Sequence, residues 1–242
     1  MSVTRLIVGV LDGLQAQNKT TMELDINKCQ HVSFDMWMTL IRSNPLYKTK
    51  RTELLKDVFS IKSAINEIEA IIRFYDKEAN RISEKSGLHI PREKIYLSLL
   101  KEMNVYVANV ENKKFKDFIT AADELFVKYK PLLIQKDIIS LFKKIVSKGK
   151  TISVLSNTAF VNGAVLKTAL RDYEFEKYFS FQLYSDETGL SKPGPGAFEL
   201  LFQNVSRIKN IYRNEILHVG DSIIADFNGA RAAGFQSLLI KK

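Results

Sequence analysis

Cysteine is almost absent from the chain. Cys29 is the only one in 242 residues, so no intramolecular disulfide can form and a reducing compartment is the simpler assumption. It reads as a buried, inert thiol. Histidine is nearly as scarce, and His31, His89 and His218 lack the spacing of a zinc cluster. His31 and His218 fall in strand-like runs and are expected in the core or at a sheet edge, with His89 in a loop. Five prolines and eleven glycines punctuate the sequence, and it has no low-complexity linker or internal repeat. No apolar run at the N-terminus is long enough to span a bilayer, and the stretch before Asp12 makes a poor signal peptide. No membrane association and a cytoplasmic location are therefore expected. Acidic residues are in deficit, 27 against 36 Lys and Arg, and the net charge of +9 favours anionic ligands by long-range attraction. The basic residues are scattered without an aromatic-basic motif, which points to a solvated surface rather than a specific nucleic-acid site. Hydrophobic content of 45% argues against disorder.

What is present has a clear order. His31 to Phe34 reads as a buried strand with Asp35 at its carboxyl end. From about Pro45 to Lys130 apolar residues recur at helical spacing, as in Leu54, Leu55, Val58, Ile61, Ile65, Ile68 and Ile72. Ser86-Gly87 and Ile90-Pro91 break this block, Pro91 opens a new helix, and a further one is expected from about Lys114 to Lys128. After Pro131 the pattern alternates. Helices are predicted at Asp137–Lys148, Val161–Leu170, around Phe198 to Phe202, and at Ile223–Ala233. Strands are predicted at Thr151–Leu155, Phe179–Tyr184, Ile216–Val219 and Gln236–Ile240. Such alternation implies an α/β fold with a Rossmann-like parallel sheet and helices on both faces. Residues 31–44 and 131–242 would form this core, with 45–130 as a helical insert. Residues 1–30 read as an N-terminal extension; Met22 opens a segment that runs directly into the first strand, and residues 1–21 before it read as either an appended arm or a product of start-site choice.

Four segments carry the chemistry: Ser33-Phe34-Asp35-Met36-Trp37-Met38-Thr39-Leu40, Leu155-Ser156-Asn157, Leu190-Ser191-Lys192-Pro193, and His218-Val219-Gly220-Asp221-Ser222 followed by Asp226. Three of them sit where an apolar run breaks into polar residues, which is where a parallel sheet places its site. They supply a carboxylate, a hydroxyl, an ammonium and an acidic pair, a set able to hold a magnesium ion and a phosphoryl group. In type and order these segments resemble the motifs of the haloacid dehalogenase-like hydrolases, over roughly residues 31–240. The resemblance implies a mobile helical cap at 45–130 and a small phosphorylated metabolite as substrate. It also implies Asp35 as nucleophile forming an aspartyl-phosphate, and Lys192 as its charge-neutralising catalytic partner. Thr39, Ser156, Asn157 and Lys192 would contact substrate. Magnesium would be held by Asp35, the Trp37 backbone carbonyl, Asp221 and Asp226. Ser222 would cap the following helix or support the acids, and Gly229 to Gly234 would shape helix packing. Arg42 reads either as a substrate contact or as a surface ion pair.

The chain departs from that pattern at Trp37. Phosphatases of the family generally carry a second Asp there as general acid and base, and an indole cannot shuttle a proton near neutral pH. Three readings follow. The first is a magnesium-dependent phosphohydrolase weak on alkyl phosphates. The second is a non-catalytic phosphate-ligand or protein-binding module on the same fold. The third is a 2-haloacid dehalogenase, which works without metal and would leave Asp221 and Asp226 without a partner.

Overall fold

In the computed structural model, residues 29–106 and 110–240 are described. The extension expected at 1–30 lies outside them, apart from Cys29 and Gln30. The chain begins with β1 (His31–Phe34), then β2 (Ile41–Arg42), α1 (Pro45–Phe59), α2 (Ile65–Ser86), α3 (Arg92–Glu102), α4 (Asn112–Lys128) and β3 (Leu132–Leu133). It continues through α5 (Ile138–Ser147), β4 (Thr151–Ser156), α6 (Gly163–Leu170), β5 (Phe179–Tyr184) and α7 (Ser185–Thr188). The last elements are α8 (Pro195–Ile208), β6 (Ile216–Gly220), a π-helical turn at Ile223–Asn228, α9 (Gly229–Ala232) and β7 (Gln236–Leu239).

The alternating half of the chain forms a parallel sheet in the order β5-β4-β1-β6-β7. β1 therefore lies between β4 and β6, where the connections diverge to opposite sides, and a crevice opens at its carboxyl end. Every residue of β1 is buried, as expected of a central strand covered on both faces. Helix α5 shows why the helices pack where they do. Ile138, Leu141, Phe142 and Ile145 repeat at helical spacing and are all buried, joining Val32, Phe34, Ile152 and Val154 in one cluster. On the other face, Ala197, Phe198, Leu201 and Val205 of α8 pack with Ile216, Ala230 and Phe235.

Helices α1 to α4 form a separate layer inserted after β1, with its own cluster that includes Leu55, Ile68, Ile72, Leu99 and Phe118. Local chemistry sets their limits. The Asn44 side chain accepts from the Leu46 N–H with Pro45 opening α1, and left-handed Ser60 ends it. Gly87, at φ 70°, closes α2 in the conformation that glycine adopts without strain. The apolar stripe from Leu54 to Ile72 thus crosses a helix break at Ser60. The short β2 and β3 pair antiparallel where the chain leaves and re-enters the sheet layer, a ribbon too brief to leave a sequence signal. The α-helix predicted at Ile223–Ala233 is instead a π-turn followed by one short α-turn. There the Phe227 N–H reaches back to the Ser222 carbonyl at 3.0 Å, widening the turn beside the site.

Among the described residues, no helix is long and apolar enough to cross a membrane.

Candidate active site

The ends of β1, β4 and β6 bring the four segments together. Asp35 follows β1, its own N–H bonded to the Val219 carbonyl of β6 at 2.8 Å, so the backbone of the neighbouring strand fixes its place. Thr39 Oγ1 donates to Asp35 Oδ2 at 3.1 Å, and Ser156 Oγ, at the end of β4, lies 3.2 Å from Asp35 Oδ1. The Lys192 ammonium donates to Asp35 Oδ1 at 2.8 Å and to Asp226 Oδ1 at 2.6 Å. It is 1% exposed, so this lysine is a buried cation held between two buried carboxylates. Asn157 holds it there through the main chain: its Nδ2 donates to the Lys192 carbonyl at 2.9 Å and its Oδ1 accepts from the Lys192 N–H at 2.8 Å.

Asp35, Asp221 and Asp226 each offer a carboxylate oxygen within 4.8 Å of the others. Hard oxygen donors at that separation suit a magnesium ion, which keeps part of its water shell, so the residues fit the metal that the sequence implied. The glycine before Asp221 has a steric reason. A Cβ on Gly220 would lie 2.1 Å from Asp226 Cγ, so only glycine lets Asp226 fold back against the end of β6. Asp226 then accepts from the Ser222 N–H at 2.9 Å, while the Ser222 hydroxyl caps the π-turn by accepting from the Ala225 N–H.

The electrostatics follow from burial. Burial pushes the Asp35 carboxyl up to about 6, a rise that Lys192 opposes and Asp226 and Asp221 reinforce. At Asp226 burial also raises the carboxyl, but Lys192 and His218 outweigh it and hold it well below the usual range. Lys192 lowers both carboxyls; burial and the neighbouring acids win at Asp35, whereas Lys192 together with His218 wins at Asp226.

His218 is a core residue, as expected, but with a contact the sequence did not announce. Its Nε2 lies 3.1 Å from Asp226 Oδ1 and its Nδ1 3.1 Å from Ser33 Oγ. Burial lowers its pKa, so the neutral ring donates from Nε2 to the carboxylate and accepts from the Ser33 hydroxyl. His31, two residues from Ser33 on the same strand face, bonds Thr151 and Ser153 instead. His89 is in the loop between α2 and α3, as expected, and its Nδ1 lies 3.1 Å from Ser185 Oγ, linking the helical layer to the start of α7.

A cavity of about 700 Å³ opens over Asp35 between the sheet and the helical layer. Asp35, Trp37, Asn157, Lys192, Asp221 and Asp226 line its floor, and α1 and α2 supply its far wall. Arg42 lines it too. Sequence reasoning missed Arg51 and Phe160, which lie at the join between the two layers; neither falls in a motif. Trp37 is half-buried, with its ring edge-on to Phe126 of α4 at 6.0 Å.

A family-wide comparison matches residues 29–234 to the haloacid dehalogenase-like hydrolases, and the chain belongs to that family. The human haloacid dehalogenase-like hydrolase domain-containing protein 3 is 30% identical over 94 residues, 39% of this chain and 34% of that protein. The matched part thus spans about a third of that relative's length. Among solved structures, the magnesium-bound hydrolase YfnB of this family from Bacillus subtilis superposes with a TM-score of 0.66 at 19% identity, covering 88% of each chain. The L-2-haloacid dehalogenase from Xanthobacter autotrophicus gives 0.57 at 14% identity, covering 88% of this chain and 77% of that one. At these identities the likeness is one of fold.

Proposed function

We propose that the protein is a magnesium-dependent phosphohydrolase that works through an aspartyl-phosphate on Asp35 and acts on a small phosphorylated metabolite. The observation that carries this reading is the buried Lys192 ammonium, pinned between Asp35 and Asp226 within a three-carboxylate cluster at the floor of a cavity. Three acids converging on one point repel one another unless cations join them.

In the first step an Asp35 oxygen attacks phosphorus. The Asp35–phosphorus bond forms while the bond to the leaving oxygen breaks, and that oxygen departs with the electron pair. Lys192 offsets negative charge on the phosphoryl oxygens, and the Ser156 hydroxyl and Asn157 N–H donate to them. Thr39 holds one oxygen of Asp35, and Lys192 and Ser156 hold the other, which together fix the carboxylate's orientation. In the second step water attacks the phosphorus, the bond between phosphorus and Asp35 breaks with its electron pair returning to the carboxylate, and the water's proton passes to solvent or to the inorganic phosphate released. Asp35, Asp221, Asp226 and the Trp37 carbonyl would hold the magnesium, which supplies positive charge for phosphoryl oxygens and orients them. Residues 45–130 act as a cap that excludes water on closure, over a core of 31–44 and 131–242.

Trp37 puts no carboxyl where a proton is needed. Leaving groups that depart as stable anions, such as acyl and aryl phosphates, therefore react far faster than alkyl phosphates, since acid–base help is worth about 10²–10⁴-fold. Magnesium-dependent rates across leaving groups of graded acidity test this. A steep dependence supports the reading, and rates indifferent to leaving-group acidity mean that another residue delivers the proton. Trp37 also favours a second reading, a phosphate-binding module without turnover. Binding of phosphate with no hydrolysis of any ester or anhydride would select it. A dehalogenase is disfavoured by the acidic cluster, which attack at carbon does not need.

A further inference from the structure

Arg51 is a buried cation that the proposed chemistry leaves unused. It lies on α1, lines the same cavity as Asp35, and is only 8% exposed. A guanidinium has five N–H donors and loses hydration when buried, so each one is expected to find an acceptor. Here Nε has none among the described residues. The guanidinium carbon sits 5.2 Å from the ring centre of Tyr47 and 5.0 Å from that of Phe160. Tyr47 is one helical turn back on α1, whereas Phe160 comes from the loop four residues after Ser156 and packs into the helical layer's own cluster. The two rings therefore fix the guanidinium relative to the Ser156 loop as well as to the cap. Tyr47 also interacts with it through its hydroxyl, and the carboxylate of Asp76 on α2 acts on it from the same cavity wall.

We propose that Arg51 binds a second anionic group of the substrate, so that the preferred substrate is a phosphoryl compound carrying a carboxylate or another phosphate at its far end. The inference rests on the reading that a phosphoryl group sits at Asp35. A planar fork held between two rings at the cavity wall suits a two-oxygen anion. An alkyl or sugar tail offers the guanidinium no further acceptor and is discriminated against.

The test uses phosphonates that cannot be hydrolysed, with calorimetry on the full chain in magnesium buffer. Phosphonopropionate carries a carboxylate at its far end, ethylene diphosphonate a second phosphonate, and propylphosphonate a methyl group. Wild type binds one or both of the first two at least about tenfold more tightly than propylphosphonate. The one preferred tells whether the second anion is carboxylate or phosphate. Arg51→Gln removes the preference, and Arg51→Lys restores part of it, since an ammonium keeps the charge without the fork. Equal binding of all three by wild type, no binding of any, or a preference that survives Arg51→Gln overturns the proposal. A preference lost with Arg51 in a protein that hydrolyses no phosphate ester or anhydride upholds this site and sinks the hydrolase reading alone.

Discussion

Trp37 meets Phe126 edge-on at 6.0 Å, and Phe126 meets Tyr47 at 4.9 Å, so the residue two places after Asp35 is packed against the helical layer. Phe126 belongs to the cluster of the sheet layer, and Phe160, from the sheet layer, to that of the helices. The position is used for packing between layers, where a proton carrier would face the substrate.

Replacing Trp37 therefore changes two properties in opposite directions. Trp37→Asp raises the rate on alkyl phosphates relative to aryl phosphates and lowers the melting temperature. The lost aromatic contact costs roughly 1–3 kcal/mol. The ratio of the two rates, with a thermal melt, checks both. An unchanged ratio in a folded variant would mean that proton delivery does not limit the enzyme.

Gly220→Ala puts a methyl group 2.1 Å from Asp226 Cγ and must displace that side chain from Lys192 and His218. Magnesium affinity measured by calorimetry should fall by more than about tenfold. Retained affinity would remove Asp226 from the metal site.

The raised carboxyl of Asp35 makes a stability prediction. A folded-state pKa of about 6, above the unfolded value of 3.8, means that the group favours the fold fully at low pH. That stability is lost as pH rises through about 6. In chelator at neutral pH, Asp35→Asn is therefore expected to melt higher than wild type. Lys192→Met should melt lower, by about 3–5 kcal/mol, because it leaves two buried carboxylates facing each other. A destabilised Asp35→Asn would show that the Lys192 pairing outweighs the burial cost.

Much of this architecture was legible in the sequence, because strand and helix periods alternate cleanly after Pro131 and each polar segment follows an apolar run. Asp35, Thr39, Ser156, Asn157, Lys192 and Asp226 meet as their order implied, since consecutive parallel strands place their carboxyl ends on one edge. His218 and Arg51 were not legible as parts of the site. His218 has the pattern of any strand residue, and its contact with Asp226 depends on the π-turn that brings residue 226 back to β6. Arg51 gains its surroundings from Phe160, more than a hundred residues away in the chain.

His31 gives the acid side of the stability profile. Burial among Thr151, Ser153 and Phe181 lowers its pKa to about 3, against 6.5 when unfolded. Its contribution is fully present above pH 6.5 and is lost as pH falls toward 3, at up to about 1.4 kcal/mol per pH unit. Denaturation midpoints between pH 6.5 and 5 should fall less steeply for His31→Gln than for wild type. Equal slopes would mean that the buried ring can take a proton.

The central claim is that Asp35 becomes phosphorylated. The most direct measurement is peptide mass spectrometry of the protein quenched in acid after brief exposure to acetyl phosphate and magnesium. The account predicts one added phosphoryl group on the peptide bearing Asp35, absent when magnesium is chelated and absent in Asp35→Asn. Turnover of acetyl phosphate with the label on another residue, or undiminished turnover by Asp35→Asn, would contradict it.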